Sequence, residues 1–160
     1  SDFQFGEHMK IAISGDHAGL EMKNYIRDYV SGLGHEVVDH GAHEYDADDD
    51  FPDLAAPVAR AVANGDVNRG IILCGSGVGA SVAANKVPGV RAAMCHDTYS
   101  AAQGVQHDDM NVLCMGARIV GVALAEALVD AFLGAEMDKH PRFQRRLDKV
   151  IKLEKEALEG

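Results

Sequence analysis

Short apolar runs alternate along this chain with segments long enough for a helix, and this alternation limits the fold more than any other feature. The runs are typical of buried strands, and they lie at Lys10–Ser14, Glu36–Asp39, Gly70–Leu73, Val90–Cys95 and Asn111–Met115. The remaining segments predict helices at Gly19–Leu33, Pro52–Asn64, Val78–Asn85, Thr98–Gln106, Ile119–Leu133 and Pro141–Leu158. We therefore predict a three-layer α/β domain, in which a five-stranded, mostly parallel sheet has helices on both faces and a C-terminal helix completes the chain.

Length and composition are those of one globular domain. The chain has 160 residues, 47% of them hydrophobic and none of them Trp, which suits a single core. Ser1–His8 precede Met9 without any periodic pattern, and we interpret them as a cloning remnant or a disordered leader. The domain is accordingly predicted to span residues 9–160. No apolar run approaches the roughly 18–20 residues that cross a bilayer.

Charge and cysteine usage argue against several classes of function. A net charge of −10 disfavours general nucleic-acid binding and attraction to an anionic membrane surface. The cysteines, Cys74, Cys95 and Cys114, show neither a CxxC motif nor the spacing of a zinc site. We therefore predict no disulfide framework, no structural metal and a reducing, cytoplasmic location.

Positive charge is concentrated in one part of this acidic chain. Seven of the 15 Lys and Arg residues lie between Lys139 and Lys155, which predicts an anion site near the C-terminus. Arg142 and Arg146 are four residues apart and share a helix face, where two guanidinium groups can clamp a phosphate. The other interpretation of this charge run is a solvated helix face.

A cysteine and a glycine-rich loop follow the third predicted strand. The apolar run from Ile71 ends in Cys74 and continues into glycines that alternate with small residues. If the run is a strand and Val78 opens a helix, the thiol lies beside unpaired helix N–H groups, which stabilise a thiolate. Cys74 is then a candidate base or nucleophile, and Gly75–Gly79 can offer amides to an oxyanion or phosphate.

Two other interpretations of this segment remain open. Cys74 can be a small buried hydrophobic residue at a strand end. The residues Gly75, Gly77 and Ala80 also satisfy the G-x-G-x-x-G/A dinucleotide fingerprint, with Asp97 near the expected acidic position. That fingerprint normally follows the first strand, whereas this loop follows the third.

Polar residues also follow other predicted strands, at the sheet edge where open parallel sheets bind their ligands. Asp16 and His17 follow the first strand, and Arg118 follows the fifth. Asp16 can alternatively serve as a local cap of the next helix. His107 lies at a predicted helix end, where interaction with the helix dipole is a local alternative.

Several motifs occur in a specific order along the chain. They are Gly15–Gly19, Cys74–Gly79, Ala84–Lys86, Gly89–Ala92, Tyr99–Ala101 and His107 with Asn111–Leu113. Together they resemble the ribose-5-phosphate isomerase type B family, which includes the galactose-6-phosphate isomerase subunits. The resemblance implies a Rossmann-like fold and an aldose–ketose isomerase that needs no metal and no cofactor and acts on a sugar phosphate, with ribose 5-phosphate as the leading substrate. It also implies a homodimer, or a dimer of dimers, with sites at the subunit interface.

The resemblance assigns roles to individual residues. It implies that Cys74 moves a proton between C1 and C2 through an enediolate, since Ala80 stands where other members carry a glutamate base. It implies that His107 opens the sugar ring with assistance from Asp16. The implied substrate-binding residues are Gly75, Ser76, Gly77, Val78 and Gly79 for the enediolate, and His17, Arg118, Arg142 and Arg146 for the sugar and its phosphate.

Three positions depart from the pattern of the family. Asp108 replaces an asparagine, Phe143 replaces a histidine between the two arginines, and Phe51 replaces a tyrosine. A carboxylate only accepts hydrogen bonds, so Asp108 is predicted to contact substrate hydroxyls and to change which sugar phosphate is preferred. An isomerase of a tetrose or hexose phosphate, and a non-catalytic sugar-phosphate-binding module, are therefore the alternatives.

Overall fold

The computed structural model describes residues 8–160, so the expectation for residues 1–7 lies outside the described part. The strands are β1 Lys10–Gly15, β2 Glu36–Asp39, β3 Arg69–Cys74, β4 Ala92–Met94 and β5 Val112–Gly116. The helices are α1 Leu20–Gly32, α2 Phe51–Ala63, α3 Val78–Ala84, α4 Thr98–Asp108, α5 Val122–Gly134 and α6 Pro141–Glu159. Over residues 8–160, no helix combines the length and the apolar character that a membrane span requires.

The five strands form one sheet in the order β2-β1-β3-β5-β4, and each pair of neighbouring strands is parallel. The predicted fold class is thereby confirmed, and the described sheet is parallel throughout where the sequence predicted it to be mostly so. Gly34 and Gly65 follow the first two helices in the left-handed backbone conformation that is typical of helix C-termini, with φ of +98° and +77°.

The largest differences from the predicted boundaries are in β4 and α5. Strand β4 has only three residues, whereas the sequence predicted Val90–Cys95. Helix α5 begins at Val122 and not at Ile119, because the backbone N–H groups of Ile119 and Val120 both donate to the carbonyl of Gly116 in a tight turn. Apolar composition continues through these segments, so hydrophobicity alone made the predicted strand too long and the predicted helix start too early.

The sheet separates two hydrophobic cores, because successive strand residues face opposite sides. Ile71 and Leu73 pack with α1, α4 and α5, while Ile72 and Cys74 pack with α2 and α3. Helix α6 packs outside this arrangement, against α4. Cys74 therefore belongs to the smaller core and also ends its strand.

Strand register brings three loops together at the carboxyl edge of the sheet. Gly15 pairs with Leu73, and Cys74 pairs with Gly116, so β1, β3 and β5 end at the same level. The loops that follow these three strands consequently border one region. Open parallel sheets bind ligands at this edge.

The acidic segment 41–50 contains neither helix nor strand, and its first residue is tied to the sheet. Lys23 is fully buried on α1, and its Nζ lies 3.0 and 2.8 Å from the two carboxylate oxygens of Asp39. Asp39 in turn accepts a 2.8 Å hydrogen bond from the N–H of Gly41. The buried ion pair therefore fixes where this segment leaves β2.

Gly70 allows helix α2 to lie directly on strand β3. A Cβ atom at this position would lie 2.5 Å from Cγ1 of Val58 and 3.2 Å from Cγ2 of Val62. We expect Gly70→Ala to lower the free energy of unfolding by about 1–3 kcal/mol, since overpacking forces the helix outward. Urea denaturation measures this loss, and Gly32→Ala is the matched control because nothing lies within 4 Å of a Cβ there. Equal stability of the two variants would contradict the close packing.

Candidate active site

A cavity of about 500 Å³ lies at the carboxyl edge of the sheet. Its walls come from the end of β3, from the loops after β1, β3 and β5, and from the first residues of α2 and α3. The lining residues are Asp16, His17, Ala18, Phe51, Cys74, Gly75, Ser76, Gly79, Arg118 and Ile119. Seven of them are candidates that the sequence placed in a site, namely Asp16, His17, Cys74, Gly75, Ser76, Gly79 and Arg118.

Cys74 is the only one of the three cysteines that lines this cavity. The side chain is largely buried, with 5% of the residue exposed, and its Sγ accepts a 3.1 Å hydrogen bond from the N–H of Gly77. Burial raises the pKa of the thiols of Cys95 and Cys114, which keeps both protonated at neutral pH. Position and access therefore distinguish Cys74 as the candidate reactive thiol.

The glycine loop turns sharply around the sulfur before α3 begins. Gly77 has a φ of +82°, and a Cβ atom there would lie 2.9 Å from Cγ of Met94 and 3.0 Å from the carbonyl carbon of Met115. Only glycine fits both the backbone conformation and the space. The side chain of Ser76 accepts a hydrogen bond from the N–H of Val78, at 3.2 Å. Gly77 and Val78 thus shape the loop but do not themselves line the cavity.

Asp16 combines a local role with a place in the cavity wall. One of its carboxylate oxygens accepts a 3.0 Å hydrogen bond from the N–H of Gly19, in the turn before α1. Asp16 is therefore not the N-cap residue of this helix, since that position is Gly19, which makes no side-chain cap. Only 7% of the residue is exposed. Arg118, which also lines the cavity, is exposed, and its backbone N–H donates to the carbonyl of Gly75 at 3.1 Å.

His17 has a partner that the sequence did not reveal. Its Nδ1 lies 2.6 Å from Oδ1 of Asp49, and the same oxygen accepts a 3.1 Å hydrogen bond from the backbone N–H of His17. The hydrogen bond that His17 donates to Asp49 raises the pKa of His17, and the negative charge of Asp16 adds to this effect. Burial and the charge of Arg118 act in the opposite direction. The imidazole is therefore biased towards its cationic form at the cavity wall.

Asp16, His17 and Asp49 also form the one group of potential metal ligands within residues 8–160, with ligand atoms all within 4.8 Å of one another. The second carboxylate oxygen of Asp49 is buried and has no hydrogen-bond partner in the described chain. Asp49 lies in a run of acidic residues after β2. The signal that could have identified it is that this run passes the carboxyl edge of the sheet.

Replacing Asp49 with asparagine is expected to lower the pKa of His17, because the variant removes a negative charge at hydrogen-bond distance. A histidine whose pKa is raised by folding stabilises the folded state below about pH 6.5, and this stability is lost as the pH rises through the raised pKa. The measurement is an NMR titration of His17, with Asp48→Asn as the control from the same loop. A fall of the same size in both variants would contradict a specific His17–Asp49 interaction.

The other predicted site residues lie elsewhere, in a second group formed by α4 and α6. The imidazole of His107 stacks on the ring of Phe143, with centroids 3.9 Å apart and an angle of 8° between the planes. The guanidinium carbons of Arg142 and Arg146 lie 4.8 and 5.8 Å from the centroid of the same ring. The two arginines therefore share one side of α6, as predicted, and Asp108 follows His107 at the end of α4.

The two groups of residues lie at opposite ends of the strands: the first at their carboxyl ends and the second towards their amino ends. His107 and Asp108 end the helix that leads into β5, whereas Cys74 pairs with Gly116 at the far end of that strand. From Val112 to Gly116 the strand rises by about 13 Å. One copy of the chain therefore does not place His107, Asp108, Arg142 or Arg146 in the cavity of Cys74.

Comparisons with known proteins agree with this architecture. The family described as Ribose/Galactose Isomerase matches residues 11–150. Ribose-5-phosphate isomerase B of Escherichia coli is 44% identical over 145 residues, which are 91% of this chain and 96% of that protein. D-erythrulose-4-phosphate isomerase of Pectobacterium atrosepticum is 41% identical over 130 residues, 81% of this chain and 86% of that protein.

Solved structures are similar over nearly the whole chain. Ribose-5-phosphate isomerase B of Mycoplasma genitalium, crystallised with bound ribulose 5-phosphate, superposes with a TM-score of 0.87 at 44% identity. The superposition covers 92% of this chain and 97% of that one. The fold, the family match and the identity to these enzymes lead to one conclusion: the chain belongs to the ribose/galactose isomerase family and is an aldose–ketose isomerase of sugar phosphates.

Proposed function

We propose that this protein interconverts ribose 5-phosphate and ribulose 5-phosphate, with Cys74 as the base and without a metal ion. The observation that carries the proposal is the location of Cys74, whose sulfur borders the cavity and accepts a hydrogen bond from the glycine loop. Among the relatives, one binds ribulose 5-phosphate in its crystal structure. The isomerase domain is proposed to span residues 9–160.

The proton transfer needs a base beside C2 and donors beside the oxygens that become negative. In the open-chain aldose, the Cys74 thiolate takes the proton from C2, and the electron pair forms the enediolate. Backbone N–H groups of the loop residues that line the cavity, Gly75, Ser76 and Gly79, stabilise the negative oxygen. The hydroxyl proton then moves from O2 to O1, and the thiol returns its proton to C1 to give the ketose. The hydrogen bond from Gly77 supports this role, because a thiolate accepts it more strongly than a thiol does.

Ring opening precedes proton transfer when the substrate is the cyclic aldose. The bond between C1 and the ring oxygen breaks, and the net change moves the proton of the C1 hydroxyl to that oxygen. We assign the donor at the ring oxygen to His107 and the acceptor at the hydroxyl to Asp16. Arg142 and Arg146 then hold the phosphate, so that binding energy at the remote end fixes C1 and C2 against the base.

A complete site of this kind needs two copies of the chain. An extended five-carbon sugar phosphate measures on the order of 8 Å from C1 to phosphorus, which is less than the length of β5 between the two groups. A homodimer, alone or within a dimer of dimers, would bring the Arg142 and His107 of one copy to the Cys74 of the other. Exposed apolar residues on α6, including Val150 and Leu153, offer a surface for such pairing.

The free thiol at the centre of this mechanism also supports a reducing, cytoplasmic setting. A second candidate activity, on a tetrose phosphate, is favoured by the carboxylate of Asp108 and by the erythrulose-phosphate relative.

The experiment that tests the proposal is an assay of ribose 5-phosphate, erythrose 4-phosphate and galactose 6-phosphate with EDTA present throughout. We expect full activity and the highest kcat/KM with ribose 5-phosphate. Loss of activity in EDTA, or preference for another sugar, would overturn it.

A further inference from the structure

The imidazole of His107 is held by two neighbours to which the resemblance assigns no role. Gln103 lies one helical turn earlier on α4, and its Nε2 is 2.9 Å from Nδ1 of His107. Phe143 lies parallel to the imidazole at 3.9 Å, and it is itself anchored, with only 4% of the residue exposed. The contact with Gln103 fixes which ring nitrogen faces α4, and the stacking on Phe143 fixes the plane of the ring.

The chemistry of the first contact selects a tautomer. An amide NH₂ group donates hydrogen bonds and does not accept them, so Nδ1 of His107 must be the acceptor. A neutral imidazole that accepts at Nδ1 carries its proton on Nε2. The proton then lies on the side of the ring away from Gln103. This is the form that can donate to a substrate oxygen.

Phe143 adds a second effect that a polar residue would not. It attracts the guanidinium groups of Arg142 and Arg146 through its ring face, and this leaves their N–H donors for phosphate. Titratable groups near the imidazole include His140, whose ring is 6.1 Å from that of Phe143, and Asp108, which follows His107 on α4. Because the imidazole of His107 and both guanidinium groups contact the ring of Phe143, this ring sets the distance between them.

We propose that Gln103 and Phe143 are positioning residues for ring opening: they present His107 with its proton on Nε2, at a fixed distance from the arginines that hold the phosphate. This inference rests on the proposed function, in which His107 donates to the ring oxygen. It adds the residues that make His107 a donor and the atom from which it donates.

The tautomer can be measured without any substrate. In protein labelled with ¹⁵N at histidine, and at about pH 8 where an unperturbed imidazole is neutral, we expect the His107 proton on Nε2. Gln103→Glu should move it to Nδ1, because a carboxylate only accepts. Gln106→Leu, an exposed position on the same helix, is the control and should change nothing. A wild-type proton on Nδ1, or no change in Gln103→Glu, would overturn the proposal.

The effect on catalysis can be separated from general damage by comparing two reactions. Gln103→Leu and Phe143→Leu should each lower kcat/KM for ribose 5-phosphate by about tenfold, the value of one well-placed hydrogen bond. In Gln103→Leu, exchange of the C1 hydrogen of ribulose 5-phosphate with solvent should stay within about twofold of wild type. In Phe143→Leu the exchange should fall less than isomerisation does, because Phe143 also contacts the arginines that hold the phosphate. The C5 oxygen of this ketose carries the phosphate and cannot close a ring, so the ketose is acyclic. Its exchange reaction therefore needs Cys74 but no ring opening.

The outcomes distinguish the inference from the function on which it rests. Equal losses of isomerisation and exchange would show that Gln103 and Phe143 act on the fold or on binding, and would overturn the positioning role. If the wild-type protein does not isomerise ribose 5-phosphate, the proposed function fails instead, and the ¹⁵N measurement still decides the tautomer of His107.

Discussion

Cys74→Ala is expected to lower kcat by about 10³-fold, within the range that a positioned general base contributes. The substitution removes the only thiol at the cavity and leaves the second group of residues, Arg142 and Arg146, unchanged. Binding of ribulose 5-phosphate, measured by calorimetry, should therefore stay within a few-fold of wild type. The protein should remain folded, because a sulfur-to-hydrogen change in a partly packed site leaves only a small cavity.

The matched control is Cys114→Ala, which makes the same substitution on the neighbouring strand, in the same core. It removes a thiol that burial keeps protonated, so kcat should be nearly unchanged. Alkylation adds a second measurement, since iodoacetamide should inactivate the wild type and substrate should protect it. Near-normal turnover by Cys74→Ala would remove the sulfur from the mechanism.

Activity is expected to return when a Cys74→Ala copy pairs with a His107→Ala copy. In such a heterodimer, one of the two sites has an intact Cys74 from one chain and an intact His107 from the other. Heterodimers isolated with two different affinity tags should show about half of the wild-type activity, whereas each homodimeric variant is nearly inactive. The physical reason is the separation of the two groups by the length of β5.

The control for this experiment pairs two variants from the same group. Cys74→Ala and Arg118→Ala both alter the cavity at the carboxyl edge. Their heterodimer has one defect in each site, so no recovery is expected. Recovery in this pair, or its absence in the Cys74 and His107 pair, would show that the site is not shared between copies in the way we propose.

Much of the fold could be predicted because buried strands and helices produce a periodic pattern of apolar residues in the sequence. The apolar runs of β1 and β3 lie almost where the sequence placed them, and Gly34 and Gly65 end helices in the left-handed conformation. Residues that directly follow strands could also be grouped, because parallel strands end at one edge. Asp16, Cys74 and Arg118 meet in one cavity for this reason.

Residues at helix ends were harder to place from the sequence. In a β-α unit the helix runs back across the sheet, so the end of α4 lies near the start of β5 and away from Cys74. His107 precedes β5 by only a few residues, which was the available signal. The resemblance grouped His107 with Cys74 by role, and a role carries no information about which copy of the chain supplies a residue.

The sequence by itself determined the layers of this protein, the edge at which Cys74 emerges and the family to be expected, because hydrophobic periodicity and ordered motifs are local properties. Only the tertiary structure decided that Asp49 pairs with His17, that Gln103 and Phe143 hold His107, and that the predicted site residues form two separate groups. These contacts depend on loop paths and helix packing between distant segments, for which the chain carries no periodic signal.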